Sequence, residues 1–268
     1  MAPHKPTAHV PSQNRIVFSH RGLNKQAPEN TLPAFQLSAD AGAHWLEMDV
    51  DILGDGTPVV LHDSTLDRTT DHSGSMYQIK VDDLKDIDAG AKFESPSGVD
   101  YTGTRIPTFA EFIEFLNQNK MNANVEVKAH EAGAAGTEVL VDQVIAGLEK
   151  LDPEREIIIS SFSPLILERI HERAPQYAIG LLYTGRSIMR DWLSQLELVG
   201  ASYIHVQDQN PLGEGGVTKD QIQAMRALGY GVNVWTVNDK DRARELFDWG
   251  ATGVFTDVAD QMLELENE

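Results

Sequence analysis

Residues with acid–base, anion-binding and metal-binding chemistry are concentrated near the start of the chain. They are His20, Arg21, Glu47, Asp49 and His62. On a strand, the spacing of two between Glu47 and Asp49 directs both carboxylates to one face, where hard oxygen ligands suit Mg²⁺ or Ca²⁺. Two histidines can act as general base and general acid near neutral pH, and an arginine can grip a phosphate. Together these residue types predict metal-assisted cleavage of a phosphate ester.

Short apolar runs alternate with longer amphipathic stretches along the chain. The strands and helices that these segments form must position the residues named above. The apolar runs cover residues 15–18, 45–50, 123–127, 156–159, 178–182, 202–206, 231–235 and 252–255. Dense β-branched runs of this length are typical of strands buried on both faces of a parallel sheet. The sequence therefore predicts eight parallel strands.

Helical patterns lie between the strands. Leu32, Phe35 and Ala39 share a face in the first, with Asn30 or Thr31 as its cap. The later helices are predicted at residues 109–119, 137–150, 164–173, 189–198, 219–228, 239–249 and 259–265. Eight strands with helices between them predict an α/β fold, the (β/α)₈ or TIM barrel, whose usual length is about 250 residues. The alternative is an open doubly wound sheet, which normally carries an early glycine-rich phosphate loop that this chain lacks.

One segment, between about residues 63 and 107, interrupts this alternation of strands and helices. Residues 59–61 follow the turn Gly54-Asp55-Gly56, so we expect them to fold back on the second strand as a hairpin. Residues 81–87 are expected to form a short helix. An insertion of this length in a barrel loop is typical of a functional element at the C-terminal mouth.

The chemistry-bearing side chains follow the ends of the predicted strands. His20, Glu47, Asp49, Glu126, Lys128 and Trp235 all occupy such positions. Barrel enzymes place their active sites at this end, and ionisable groups there are expensive to bury without a function. Two alternatives stay open: the carboxylates can form ordinary salt bridges with Arg21 and Lys128, and Trp235 can be plain core. Asp51 continues the same spacing but is expected to be solvated beyond the strand end.

Composition limits the function further. The chain has 268 residues and a formal net charge of −19, which argues against nucleic acid and against tight docking on anionic lipid. It has no cysteine, and no apolar run approaches the length of a spanning helix. Residues 1–14 lack the apolar segment of a signal peptide and are expected to form a flexible tail. We therefore expect one cytoplasmic domain over residues 15–268, without stable membrane insertion.

Motifs along nearly the whole chain resemble those of the glycerophosphodiester phosphodiesterases, and most closely the short, bacterial-type cytosolic members. The motifs are residues 20–22 (HRG), 28–31 (PENT), 47–50 (EMDV), 56–63 (GTPVVLHD), 66–70 (LDRTT), 88–90 (DAG), 125–128 (VEVK), 161–164 (SFSP) and 234–238 (VWTVN). They occur in the family's order, and the resemblance again implies a (β/α)₈ barrel with an insertion after the second strand.

The resemblance also implies a role for each candidate residue. Glu47, Asp49 and Glu126 would hold a divalent cation, Mg²⁺ or Ca²⁺. His20 and His62 would be the acid–base pair, with His20 as base and His62 as acid by analogy with related two-histidine phosphodiesterases. Arg21 and Lys128 would bind the phosphate, Trp235 would line the substrate pocket, and Glu29 and Asn30 would shape the site.

The activity implied is hydrolysis of a small-molecule glycerophosphodiester to glycerol 3-phosphate and an alcohol. One alternative is a lysophospholipase D or sphingomyelinase D-like enzyme acting on lipid substrates, which would need an apolar groove or a membrane-binding face. The other is a non-catalytic phosphodiester-binding protein, which would have lost a histidine or a ligand. Neither the preferred alcohol nor the oligomeric state is predicted.

Overall fold

The computed structural model of the protein describes residues 15–128, 131–185, 188, 190–208 and 216–268, so the predicted tail at residues 1–14 lies outside the described residues. Eight of its strands run parallel around a barrel and one is an antiparallel addition. The strands are β1 (Ile16–His20), β2 (Trp45–Ile52), β3 (Pro58–Val60), β4 (Asn122–Val127), β5 (Ile157–Ser161), β6 (Ala178–Tyr183), β7 (Tyr203–Gln207), β8 (Gly231–Trp235) and β9 (Gly253–Thr256).

The sheet closes because β1 pairs in parallel with both β2 and β9. All eight predicted strands are present, and the TIM barrel is confirmed over the open-sheet alternative. Closure also sets the register of the functional residues. His20 lies beside Glu47 across the β1–β2 pair, and Asp49 lies beside Glu126 across the β2–β4 pair. Side chains from three strands are thereby brought to one level of the barrel.

Helices cover the outside of the barrel. They are α1 (Leu32–Asp40), α2 (Phe109–Asn119), α3 (Gly133–Leu148), α4 (Pro164–Arg173), α5 (Trp192–Leu198), α6 (Lys219–Ala227) and α7 (Lys240–Trp249). The predicted bounds of α2 and α4 match the structure. At α2, Thr108 and Glu111 form a reciprocal capping box, which explains its sharp start. The predicted start of α5 at Met189 lies outside the described residues.

The predicted helix at residues 259–265 is wrong. The chain there forms two short 3₁₀ helices, Ala259–Gln261 and Leu263–Asn267. Its buried residues Ala259, Met262 and Leu265 are spaced by three, which matches the three residues per turn of a 3₁₀ helix. Nearby, Glu266 accepts a hydrogen bond from the backbone N–H of Val17 at 2.9 Å, which ties this end of the chain to β1.

The insertion after the second strand begins with the expected hairpin, in which β3 pairs antiparallel with β2. Two short 3₁₀ helices follow, Met76–Gln78 and Val81–Asp86. The insertion and the adjoining hairpin share an apolar cluster separate from the main core, made of Leu53, Val59, Leu61, Leu66, Met76, Leu84, Ile87, Ala89 and Ile106. The insertion therefore packs as a small unit against the hairpin.

The prediction that Asp51 is solvated is wrong. The hairpin lengthens β2 to Ile52, so Asp51 lies inside the strand and is fully buried. Its Oδ2 accepts a hydrogen bond from the hydroxyl of Tyr77 at 2.6 Å, and burial together with this bond raises the pKa of Tyr77. Asp51 thus fastens the insertion to β2. No helix in the described ranges combines the length and apolar character needed to cross a bilayer.

Candidate active site

A cavity of about 240 Å³ opens at the C-terminal end of the barrel. Its walls include the last residues of β1 and β8, His20 and Trp235. The lining residues are His20, Arg21, Glu47, His62, Asn124, Glu126, Lys128, Phe162, Leu182, Trp235, Thr236 and Phe255. Every predicted site residue is among them except Asp49, which lies directly behind the lining and contacts it.

Three carboxylates meet at one side of the cavity. Glu47, Asp49 and Glu126 each offer an oxygen, and these oxygens lie within 4.8 Å of one another. Glu47 and Asp49 are 3% and 0% exposed, and the side chain of Glu126 is 12% exposed. The alternation of β2 places the first two on one face, and the β2–β4 register supplies the third.

The charges of this carboxylate cluster are unevenly compensated. Burial and repulsion from Asp49 and Glu126 raise the pKa of Glu47 well above its usual value. Burial alone would also raise the pKa of Asp49, but Lys128 and Arg21 lower it. Oδ1 of Asp49 is buried without a hydrogen bond from any described residue, although Nζ of Lys128 lies 3.3 Å away. Oxygen donors, excess negative charge and an unsatisfied buried oxygen together fit a divalent cation.

The two cationic side chains form ion pairs with the same carboxylates. Nζ of Lys128 lies 2.9 Å from Oε1 of Glu126, and Nε of Arg21 lies 3.2 Å from Oδ2 of Asp49. Burial would lower the pKa of Lys128, but Asp49 and Glu126 raise it, so the ammonium stays charged. The salt bridges considered from the sequence are therefore present. They leave both cations on the cavity wall, where an anion can also reach them.

The loop after β1 is shaped by a tight turn and by Asn30. Gly22 has a φ of +80°, and an added Cβ would lie 2.7 Å from the backbone carbon of Ala34, so only glycine fits between the loop and α1. Asn30 donates its side-chain amide to Oδ2 of Asp49 at 2.8 Å, and its amide oxygen accepts from the Asp49 backbone N–H at 3.3 Å. These bonds hold Asp49 in place beneath the cavity.

His20 is oriented by a carboxylate that the sequence analysis did not identify. Nδ1 of His20 lies 2.8 Å from Oδ1 of Asp257, while its Nε2 lies 3.9 Å from Glu47. Asn24 and Asn238 each donate to Asp257, and although burial alone would raise the pKa of Asp257, its hydrogen bonds hold that pKa well below its usual value. Asp257 directly follows β9, so the strand-end position used for the other residues was the available signal.

His62 forms a second histidine–aspartate pair. Nδ1 of His62 lies 2.5 Å from Oδ1 of its neighbour Asp63. Burial alone would raise the pKa of Asp63, but hydrogen bonds from Arg68 and His62 lower it to about 2. Burial, opposed by the charge of Asp49, lowers the pKa of His62. Each histidine thus uses Nδ1 to contact an aspartate, which leaves Nε2 as the nitrogen available for proton transfer.

The opposite wall of the cavity is aromatic. Phe162 and Trp235 meet edge to face with ring centroids 5.7 Å apart, and Phe162 is 44% exposed. Within the part of the chain that the structure describes, Nε1–H of Trp235 and Oδ1 of Asn124 are buried without a hydrogen-bond partner. Trp235 therefore lines the cavity as well as packing on its neighbours.

Comparison with known proteins places this barrel and its site in a single family. The family model described as "Glycerophosphoryl diester phosphodiesterase family" matches residues 20–261. The chain belongs to this family. The matched range includes every predicted site residue and Asp257.

Two relatives illustrate the similarity. The chain is 31% identical over 250 residues to a glycerophosphodiester phosphodiesterase of Caldanaerobacter subterraneus subsp. tengcongensis, covering 93% of this chain and 97% of that protein. A solved structure of an Oleispira antarctica phosphodiesterase, in complex with the product sn-glycerol-3-phosphate, is 30% identical with a TM-score of 0.85. That match covers 95% of this chain and 98% of the other.

Proposed function

We propose that this protein is a cation-dependent enzyme that hydrolyses small glycerophosphodiesters to glycerol 3-phosphate and an alcohol. The observation that carries the proposal is one cavity holding a cluster of three carboxylates, two cationic side chains and two histidine–aspartate pairs. Family membership supports the reaction class, and the product bound to the Oleispira antarctica relative supports the glycerol 3-phosphate moiety.

Glu47, Asp49 and Glu126 would hold the divalent cation, for which Mg²⁺ and Ca²⁺ are the candidates. When bound there, the cation supplies charge stabilisation to a phosphate oxygen and lowers the pKa of an oxygen it contacts. It would also compensate the negative charge of Glu47, whose pKa stays raised by burial and by Asp49 and Glu126 although Arg21 lowers it.

His20 and His62 would carry the proton transfers. Asp257 orients His20, which removes the proton from the attacking oxygen, and Asp63 orients His62, which gives a proton to the leaving alcohol. The attacker is either a hydroxyl of the glycerol moiety or water. In the first case the new phosphorus–oxygen bond closes a cyclic phosphate, which water then opens; in the second the product forms directly.

Arg21 and Lys128 would bind the phosphate. Both are charged, nearly buried and on the cavity wall, so they can offset the negative charge that grows on the phosphoryl oxygens in the transition state. Trp235, which meets Phe162 edge to face on the cavity wall, would line the substrate pocket.

The lipid-directed alternative is not favoured. Among the described residues 63–107 of the insertion, the exposed large hydrophobic side chains are Val81 and Val99, at 38% and 51% exposure. Two scattered valines do not make a contiguous lipid-binding face. The Caldanaerobacter subterraneus relative is also a glycerophosphodiester phosphodiesterase.

The test is an assay for release of glycerol 3-phosphate from a panel of glycerophosphodiesters, with and without a chelator. We expect release that stops after chelation and returns with Mg²⁺ or Ca²⁺. Glycerophosphocholine and lysophosphatidylcholine are compared side by side, and preference for the second would favour the lipid alternative. Absence of release from every diester, or full release after exhaustive chelation, would contradict the proposal.

A further inference from the structure

Arg68 joins two carboxylates that belong to different loops at the mouth of the barrel. Its Nε and Nη2 donate to the two oxygens of Asp63 at 2.7 and 3.1 Å. Its Nη1 and Nη2 donate to the two oxygens of Glu29, in the loop after β1, at 2.6 and 2.8 Å. One guanidinium therefore makes a forked contact with each carboxylate, which is the strong geometry for such pairs.

Both carboxylates make a second bond to a residue of the cavity wall. Asp63 contacts Nδ1 of His62 at 2.5 Å, and Glu29 accepts from Nη1 of Arg21 at 2.9 Å. Arg68 thus stands at the centre of a continuous chain of hydrogen bonds, from His62 at one end to Arg21 at the other. Arg68 itself is not among the residues that line the cavity.

We propose that Arg68 is a positioning residue that holds His62 through Asp63 and Arg21 through Glu29. The inference rests on the proposed function, because it assigns Arg68 an effect on the proposed proton donor and on one proposed phosphate ligand. It also assigns the insertion a function, because Arg68 connects the insertion to His62 through Asp63 and to Arg21 through Glu29.

The position of Arg68 separates this role from a structural one. Its side chain is 47% exposed, and Arg68 is not part of the apolar cluster that packs the insertion. Ion pairs at such exposure contribute little to stability. A displaced catalytic group, by contrast, can cost up to about 10²-fold in rate. Removal of Arg68 should therefore affect activity far more than folding.

The experiment compares Arg68→Ala with Arg105→Ala. Arg105 is a matched control, because it lies in the same insertion, is 64% exposed and has a carboxylate 3.8 Å away at Glu111. We expect Arg68→Ala to lose about 10- to 100-fold in kcat/KM on the natural diester, with a melting temperature within about 4 °C of wild type. Arg105→Ala should keep the activity of wild type.

Three further readouts separate positioning from simple destabilisation. Millimolar guanidinium should partly restore Arg68→Ala, because the exposed site can admit the free cation. With a nitrophenyl diester as substrate, Arg68→Ala should lose less of its kcat/KM, because the nitrophenolate needs little protonation as it departs. Arg68→Lys should fold and still lose activity, because an ammonium cannot make forked contacts with two carboxylates.

Measurements without turnover make failure of this inference distinguishable from failure of the proposed function. Affinity for inorganic phosphate should fall in Arg68→Ala, because Arg21 loses its support. The nitrogen-bound proton of the His62 ring, followed by NMR, should exchange faster with solvent. If wild type releases no glycerol 3-phosphate, the proposed function fails, while these two measurements still test Arg68.

Two results would overturn the role of Arg68. The first is wild-type kcat/KM, phosphate affinity and His62 proton exchange in Arg68→Ala. The second is a loss of activity that follows a matching loss of folded protein, without rescue by guanidinium. If Arg68→Ala does not fold, Arg68→Lys decides, and full activity in that variant would reject positioning by a forked guanidinium.

Discussion

Replacement of Glu47 by glutamine tests the carboxylate cluster, because Glu47→Gln keeps the shape of the side chain and removes one negative charge. The cluster oxygens lie within 4.8 Å of one another. At that separation and an effective dielectric constant near 20, two negative charges repel by roughly 3.5 kcal/mol. Arg21 and Lys128 offset part of this repulsion at Asp49 and Glu126. We therefore expect cation-free Glu47→Gln to be at least as stable as wild type at neutral pH.

The pKa of Glu47 determines whether the stability of the cation-free protein rises or falls with pH. Burial and its two carboxylate neighbours raise that pKa above the usual glutamate value of 4.5. A group with a raised folded-state pKa contributes stability that is present below the unfolded pKa and lost as pH rises through the folded pKa. Without a cation, wild type should therefore lose stability relative to Glu47→Gln as pH rises above about 4.5.

A divalent cation should make wild type more stable than Glu47→Gln. A ligand at about 100 times its dissociation constant stabilises the folded state by about 2.7 kcal/mol. In a protein of this size that corresponds to a rise of about 5 to 10 °C in melting temperature. We expect Mg²⁺ or Ca²⁺ to give such a rise in wild type and to give little or none in Glu47→Gln.

The assay is thermal unfolding in a chelator and at increasing cation concentration. Glu266→Gln is the matched control, because burial likewise raises the pKa of Glu266, which lies at the opposite end of the barrel beside Val17. It should keep the full cation response. Equal melting temperatures for wild type with and without cation would refute a cation site, and a full response in Glu47→Gln would remove Glu47 from it.

Three other predictions concern the histidines. His20→Ala and His62→Ala should each lose about 10²- to 10⁴-fold in turnover, and a nitrophenyl diester should rescue only His62→Ala; rescue of His20→Ala alone would exchange their roles. Asp257→Asn should lose up to about 10²-fold in kcat with cation affinity unchanged, and an unchanged kcat would separate it from His20. Burial lowers the pKa of His205 to about 3, so its contribution to stability is complete above about pH 6.5 and is lost as pH falls towards 3. Denaturant unfolding of His205→Gln should therefore show a pH slope in this window smaller by up to about 1.4 kcal/mol per unit, and an unchanged slope would contradict the burial of a neutral ring.

The barrel could be predicted because its strands are encoded locally. Each run is short and dense in apolar residues, as is typical of a strand between a barrel interior and a helical layer. The pairing of Glu47 with Asp49 was also visible, because strand alternation turns a spacing of two into a shared face. These features depend on a few neighbouring residues, and no contact between distant parts of the chain is needed to recognise them.

The features that sequence reasoning missed depend on distant contacts. Asp51 was expected in solvent, but β3 extends β2 and Tyr77 covers the carboxylate. Asp257 reaches His20 from 237 positions away in the chain, because closure of the barrel places β9 beside β1. Arg68 meets Glu29 from 39 positions away, after the insertion has packed on the hairpin. Local patterns predict strands and faces but do not encode such contacts.

The two histidine–aspartate pairs therefore depend on different parts of the fold. His20 obtains its aspartate from the far end of the chain, so its orientation requires the β1–β9 closure. His62 obtains its aspartate from the next residue, and that aspartate is held by Arg68 of the insertion. Loosening the last strand should disturb proton removal, whereas loosening the insertion should disturb protonation of the leaving group. We therefore expect changes in the insertion to alter which alcohol is released, while the half of the site that contains His20 and the carboxylate cluster keeps its geometry, because the strands hold it.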